Sequence, residues 1–262
     1  MIKKYIKGKL IEYSSLLEAL NLELAQLESA YPKVQIEGQK RRNPVISVIG
    51  AGGKTTTITR LAFEYRKRHI PVIVTTTTHM KIEEAPWFLL EPSIEKAVEV
   101  LNQEGMVWAG IPTEDGKMKA PPDWFLAQLL QCGCPVLIEA DGAKRLPMKA
   151  PAEHEPVLLK ETTHVLNICG LDAVGSPFQE VCFRPALAAG ILGKQITDRV
   201  CPEDILNLAL SAKAGKKGIT PDMKYSIILN KADTREREHM AATICSQAVM
   251  QGMAELLVTA LQ

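Results

Sequence analysis

Lys54, Thr55 and Thr56 follow three closely spaced glycines, Gly50, Gly52 and Gly53, and the glycines follow the apolar stretch Val45-Ile-Ser-Val-Ile49. A strand, a glycine turn, a lysine and a hydroxyl that opens a helix is the order phosphate binding requires. Glycine accepts the dihedrals of a tight turn and lets phosphate approach the backbone. A helix starting near Lys54 adds free N–H groups and the positive end of its dipole. On this reading Lys54 reaches the β- and γ-phosphates, Thr55 places its hydroxyl on Mg²⁺, and Thr56 lies beside it on the phosphates. The run departs from G-x-x-x-x-G-K-[ST] because position 48 is Val48; the fit is to the shorter G-x-G-G-K-T-T. The plainer alternative is a strand-to-helix turn that binds nothing.

Asp141 comes just after a second apolar stretch, Pro135-Val-Leu-Ile-Glu-Ala140. A carboxylate there is placed to meet Mg²⁺ directly or through water; otherwise Asp141-Gly142 is a turn dipeptide. Glu139, two residues back, shares the strand face with Asp141. It reads as an orienter, a water-activating base or a structural partner of a lysine. The run Thr75 to Thr78, with His79, ends a third apolar stretch. Thr77 in this run would ligate Mg²⁺ or respond to the terminal phosphate, or the run is a β-branched strand end. Asn230-Lys231-Ala232-Asp233 has the spacing of guanine recognition. The Asp233 carboxylate would accept the ring N–H and the exocyclic amine, and the Lys231 stem would cover the base. Asp233 is equally suited to cap the following helix, with Glu236 three residues on. Residues 143–156 carry Lys144, Arg145, Lys149, His154 and Glu155 beside Asp141, as a substrate or partner surface or as a solvated loop. Arg184 is a charge-stabilising arginine or a surface ion pair. His69, His164 and His239 lack metal-ligand spacing.

The elements that must position these residues alternate. Strands are expected over 45–49, 70–75, 106–110, 135–140, 164–169, 225–229 and 255–260. Helices are expected over 14–26, 57–68, 92–103, 121–131, 185–192, 202–214 and 234–251. That alternation predicts an α/β fold with a doubly wound, mostly parallel sheet, P-loop NTPase-like, whose ligands sit at the carboxyl ends of the strands. Residues 1–43 are expected as an N-terminal helical preface, with Lys40, Arg41 and Arg42 as a solvated basic hinge, and 44–262 as the nucleotide-binding domain. The 262 residues carry 46% hydrophobic and 23% charged residues and a net charge of +1. That balance favours neither nucleic acid nor a membrane surface as partner. No apolar run reaches bilayer length, and the first residues lack a secretory core. Six scattered cysteines without Cys-x-x-Cys suit reduced thiols. A cytoplasmic protein is expected.

Taken together and in this order, Gly50-Ala-Gly-Gly-Lys-Thr-Thr56, Val74-Thr-Thr-Thr-Thr-His-Met80, Glu139-Ala-Asp-Gly-Ala-Lys144, Lys149-Ala-Pro-Ala-Glu-His-Glu-Pro156 and Asn230-Lys-Ala-Asp233 resemble the YqeC family. The resemblance runs from about residue 14 to the C-terminus. It implies a nucleotide-binding accessory protein for selenium-dependent molybdenum hydroxylases, acting in cofactor maturation with Mg²⁺ and GTP or ATP. The expected partners are therefore a nucleoside triphosphate and a molybdenum hydroxylase or its cofactor; a homodimer is common among nucleotide switches of this fold. Two other readings stand beside it. The short glycine loop also resembles the G-T-x-G-K-T-T loop of Mur-type ligases, which points to a small-molecule ligase or kinase. A non-catalytic module that holds nucleotide as a structural ligand is the other.

Overall fold

The computed structural model describes residues 1–22 and 43–261. One ten-stranded sheet forms its centre, built in chain order from β1 (Ile2–Ile6), β2 (Lys9–Glu12), β3 (Val45–Gly50), β4 (Val72–Thr76), β5 (Phe88–Leu89), β6 (Met106–Ala109), β7 (Val136–Glu139), β8 (His164–Gly170), β9 (Lys224–Asn230) and β10 (Leu256–Thr259). The spatial order is β2-β1-β10-β9-β8-β3-β7-β4-β6-β5. Neighbours from β10 through β5 are all parallel, and only the pairings of β1 are antiparallel. The fold is α/β with a mostly parallel sheet.

The eight helices of the described residues are α1 (Leu16–Ala19), α2 (Lys54–Lys67), α3 (Ile94–Glu104), α4 (Asp123–Gln131), α5 (Phe178–Val181), α6 (Pro185–Leu192), α7 (Pro202–Leu210) and α8 (Arg235–Met250). Successive strand side chains point to opposite faces, and both faces are covered. Ile46 and Val48 of β3 pack with Leu16, Ile58, Leu61 and Tyr65 of α1 and α2. Val45 and Ile49 of the same strand pack with Ala97, Leu101, Phe125 and Leu129 of α3 and α4. Farther along that second face, Ile227, Leu229 and Val258 meet Ile205, Leu208, Ile244 and Ala248 of α7 and α8. Burial on both faces is why these strands read as continuous apolar runs, and each such side chain stabilises the fold by about 1.5–3 kcal/mol.

The chain leaves β3 through α2 to β4 on one side, returns at β7 beside β3, and then crosses to β8 on the other side. This reversal leaves a crevice outside the carboxyl ends of β3, β7 and β8, the place where open α/β sheets take ligands.

The N-terminal segment departs from the expected helical preface. Residues 2–12 form a hairpin that extends the sheet, with β1 antiparallel to β10. Lys7 (φ 49°) and Gly8 (φ 84°) turn it, the two left-handed residues that a tight type I′ connection needs. Lysines occupy positions where apolar residues would signal a strand. Lys4 buries its stem and pairs with Glu255 at 2.9 Å, and Lys3 pairs with Glu238 at 2.5 Å. Ser15 caps α1 by accepting from the Glu18 N–H at 3.1 Å. Helix α1 spans only Leu16–Ala19 of the helix expected over 14–26, and the chain turns at Asn21 (φ 52°); residues from 23 onward and the basic run Lys40 to Arg42 lie outside the described residues. Short strands at His79–Lys81, Ile111–Pro112 and Lys117–Lys119 make a separate small sheet. Met148–Lys149 pairs with Cys182–Phe183. Among the described residues no helix is long and apolar enough to cross a membrane, and the six cysteines are free.

Candidate functional site

The glycine loop between β3 and α2 is shaped by its neighbours. Gly50, Gly52 and Gly53 have φ of 89°, 86° and 134°. A Cβ at Gly50 would lie 2.2 Å from the Ile168 carbonyl oxygen, one at Gly52 2.5 Å from Gly170 Cα, and one at Gly53 2.2 Å from Asn230 Nδ2. Dihedral and space therefore both exclude a side chain. Ala51 N–H donates to the Ile168 carbonyl at 2.8 Å. By contrast, the N–H groups of Gly52, Gly53, Lys54, Thr55 and Thr56 have no partner among the described residues. Helix α2 has no side-chain cap and no acidic residue in its first turn, so its own sequence does not offset its positive end.

Lys54 folds back over this loop. Its Nζ donates to the Gly50 carbonyl at 2.7 Å and lies 3.1 Å from Asp141 Oδ1. Asp141 Oδ2 accepts from Gly50 N–H at 3.0 Å and pairs with Lys149 Nζ at 2.9 Å. Lys54 sits off the hydrogen-bonding direction of Oδ1, which accepts no aligned bond among the described residues. Thr55 meets Glu139 instead: Thr55 Oγ1 donates to Glu139 Oε2 at 3.0 Å. Glu139 and Asp141 share the face turned toward the start of α2, as expected: Glu139 meets Thr55 and Asp141 meets Lys54, while Ala140 between them packs on the opposite face with Ile138. Burial pushes the Glu139 carboxyl above its ordinary range, partly offset by the Lys54 charge and the Thr55 hydrogen bond.

Three hydroxyls of the threonine run bond backbone carbonyls. Thr75 Oγ1 donates to Ala109 at 2.8 Å, Thr76 Oγ1 to Glu139 at 2.9 Å, and Thr77 Oγ1 to Val157 at 3.1 Å. Thr77, expected at the metal, is thus tied to the chain just after residues 143–156. His79 is exposed and stands opposite Lys119 in the small sheet. No group of three His, Cys, Asp or Glu among the described residues is arranged to hold a metal by itself.

Asn230 joins the loop to the far side of the sheet. It is fully buried. Its Nδ2 donates to the Gly52 carbonyl at 2.8 Å, and its Oδ1 accepts from Thr259 Oγ1 at 2.9 Å and Leu261 N–H at 3.3 Å. Lys231 is left-handed, with φ 67°. Asp233 is exposed and pairs with Arg237 at 2.7 Å, a bond that lowers its carboxyl pKa. The cap of α8 is Thr234, which accepts from Arg237 N–H at 3.2 Å. The alternative of Asp233 as the cap is therefore displaced by one residue.

Residues 143–156 divide into two sets. Lys149 and Glu155 turn inward and pair at 2.7 Å, and Lys149 also donates to the Gly142 carbonyl at 2.7 Å. Glu155 then takes both ends of Arg184, at 2.8 and 3.1 Å. Burial pushes the Glu155 carboxyl up, but the hydrogen bonds and charges of Arg184 and Lys149 outweigh it and bring the pKa to about 2. Lys144, Arg145 and His154 remain exposed. The outcome is a continuous row of ion pairs, Lys54–Asp141–Lys149–Glu155–Arg184.

Two residues of the site were open or unnoticed in the sequence. Arg184 proves to be the end of this row. Asn167 lies within β8, donates from Nδ2 to Tyr225 Oη at 2.8 Å, and lines a cavity of ≈ 40 Å³ behind Gly50 and Ala51 together with Asp141, Lys149 and Cys169. An asparagine inside the apolar run His-Val-Leu-Asn-Ile-Cys was the available signal.

A family model described as YqeC protein matches residues 46–186. The matched stretch holds the glycine loop, Glu139, Asp141 and the whole ion-pair row, and stops before Asn230 and Asp233. The uncharacterized protein YqeC of Escherichia coli (strain K12) is 33% identical over 144 residues, which cover 53% of this chain and 56% of that protein. The chain thus matches little more than half the length of that relative. With more than half of its own residues matched by the family model, from the first core strand through Arg184, the chain belongs to the YqeC family.

Proposed function

We propose that the chain is a P-loop nucleotide-binding protein that holds a nucleoside triphosphate with Mg²⁺ on the glycine loop. Hydrolysis there would serve maturation of a selenium-dependent molybdenum hydroxylase or its cofactor. The observation that carries the nucleotide reading is the row of unpartnered amides from Gly52 to Thr56 at the capless start of α2, with the Lys54 ammonium beside it. Consecutive free N–H groups at a helix start suit phosphate oxygens. Lys54 would exchange the Gly50 carbonyl for phosphate.

The donor set fits Mg²⁺. Thr55 Oγ1 and Glu139 Oε2 are hard oxygens already 3.0 Å apart. This ion takes one or two protein oxygens and completes its shell with water and phosphate, so no cluster of three acidic ligands is needed. When bound it would offset charge on the transferring phosphate. The Asn-Lys-x-Asp spacing favours GTP over ATP. The maturation role rests on the family resemblance of the motifs.

Calorimetric titration of non-hydrolysable GTP and ATP analogues with Mg²⁺ tests the reading. Guanine nucleotide is expected to bind the native chain and to bind Lys54→Ala at least about tenfold more weakly, the effect of losing one charge-assisted hydrogen bond. Folded native protein that binds neither nucleotide overturns it.

A further inference from the structure

We propose that Lys144, Phe183 and Arg184 form a second oxyanion site, for a carboxylate or phosphate group of a small-molecule substrate. The Arg184 guanidinium lies 4.1 Å from the centre of the Phe183 ring, and the Lys144 ammonium lies 5.2 Å from the same ring. One aromatic side chain therefore gathers two cations that are far apart in sequence.

The donors of Arg184 are only partly used. Nη1 serves Glu155 and the Ala150 carbonyl, and Nη2 serves Glu155. Nε–H and the second Nη2–H have no partner among the described residues. These two N–H groups form the side-on fork of the guanidinium, whose geometry matches the paired oxygens of carboxylate or phosphate. Glu155 holds the opposite edge at two points and so aims the open one. Lys144 has neither an ion pair nor a hydrogen bond among the described residues.

The backbone is arranged to bring them together. Lys144, Arg145 and Arg184 have φ of 47°, 61° and 64°, a left-handed conformation uncommon outside glycine. The strand pair Met148–Lys149 with Cys182–Phe183 ties the two segments to each other. Helix α6 starts directly after Arg184 with Pro185 and no acidic residue in its first turn, which adds to the positive field. The site stands at the outer end of the ion-pair row that begins at Lys54. Its role as the subsite for a substrate of the nucleotide-dependent reaction rests on the proposed function; its ability to bind an oxyanion does not.

The test uses inorganic phosphate as probe, followed by ³¹P line broadening in the Lys54→Ala protein, where binding on the glycine loop is weakened and any remainder does not depend on Lys144 or Arg184. Saturable binding is expected. It should weaken at least about tenfold when Lys144→Ala is added, and also with Arg184→Lys, which keeps the charge but loses the fork. Lys144 is exposed, so its removal leaves the fold intact, as a thermal melt will verify. Absence of saturable phosphate binding in Lys54→Ala, or equal binding in all three proteins, overturns the proposal. Failure of nucleotide to bind the native chain would overturn the glycine-loop reading and leave this result standing.

Discussion

Lys149 Nζ lies 2.9 Å from Asp141 and 2.7 Å from Glu155, so one ammonium bridges two carboxylates that are almost wholly removed from water. Replacing it by Met would leave both charges buried and short of a partner. The expected loss of stability is about 3–5 kcal/mol, the range for breaking a buried pair, measured by urea unfolding at neutral pH. A loss below about 1 kcal/mol, the range of exposed pairs, would mean that the row is solvated in solution.

Two groups give the stability a pH dependence on the acid side. Burial, helped by the charge of Lys224, lowers His164 from 6.5 to about 4. The unfolded chain then binds the proton more readily, so the contribution of neutral His164 is complete above pH 6.5 and is lost as pH falls toward 4. Glu155 is depressed to about 2 from 4.5; its contribution is complete above 4.5 and is lost as pH falls toward 2. Melting temperatures of His164→Gln should be flatter between pH 6.5 and 4, and those of Glu155→Gln flatter only below 4.5.

Neighbouring residues separate base recognition from helix capping. Thr234→Ala should cost about 1 kcal/mol, the usual loss of a cap. Asp233→Ala should leave stability nearly unchanged, since its pair with Arg237 is exposed. If Asp233 reads guanine, the same substitution removes the preference for GTP over ATP in a competition titration. A preference left unchanged would exclude that role.

The carboxylates at the crevice differ in what they hold. Thr55→Ala and Glu139→Gln are each expected to weaken Mg²⁺-dependent nucleotide binding about tenfold, near the 1.5 kcal/mol of a charged hydrogen bond. Asp141→Asn should leave nucleotide affinity equal or higher, because Lys54 loses a competing anion, while the melting temperature falls. Loss of the Mg²⁺ dependence in Asp141→Asn would make Asp141 the metal ligand, as the sequence suggests.

The parallel sheet was legible because its strands are buried on both faces. Val45 to Ile49 and Tyr225 to Leu229 leave little room for another reading, and the structure differs by a residue or two at their ends. The N-terminal hairpin was not, because Lys3 and Lys4 stand where a strand signal needs apolar residues, and their partners Glu238 and Glu255 are distant in sequence. Within the site, the order glycine, lysine, threonine announced a turn with free amides. Which carboxylate meets Thr55 did not follow from spacing, since Glu139 and Asp141 share one face of the chain. The inward turn of Lys149 and Glu155 was equally hidden. Both look like solvated charges until Asp141 and Arg184 are brought to either side of them.

The three hydrogen bonds of Asn230 have a mechanical meaning. They bolt Gly52 to the last strand through Thr259 and Leu261. That bank of the crevice is thereby pinned across the sheet, while the opposite bank is pinned through Thr76 and Thr77 to Glu139 and Val157, so the two banks are held by separate strands and are free to answer an occupant independently.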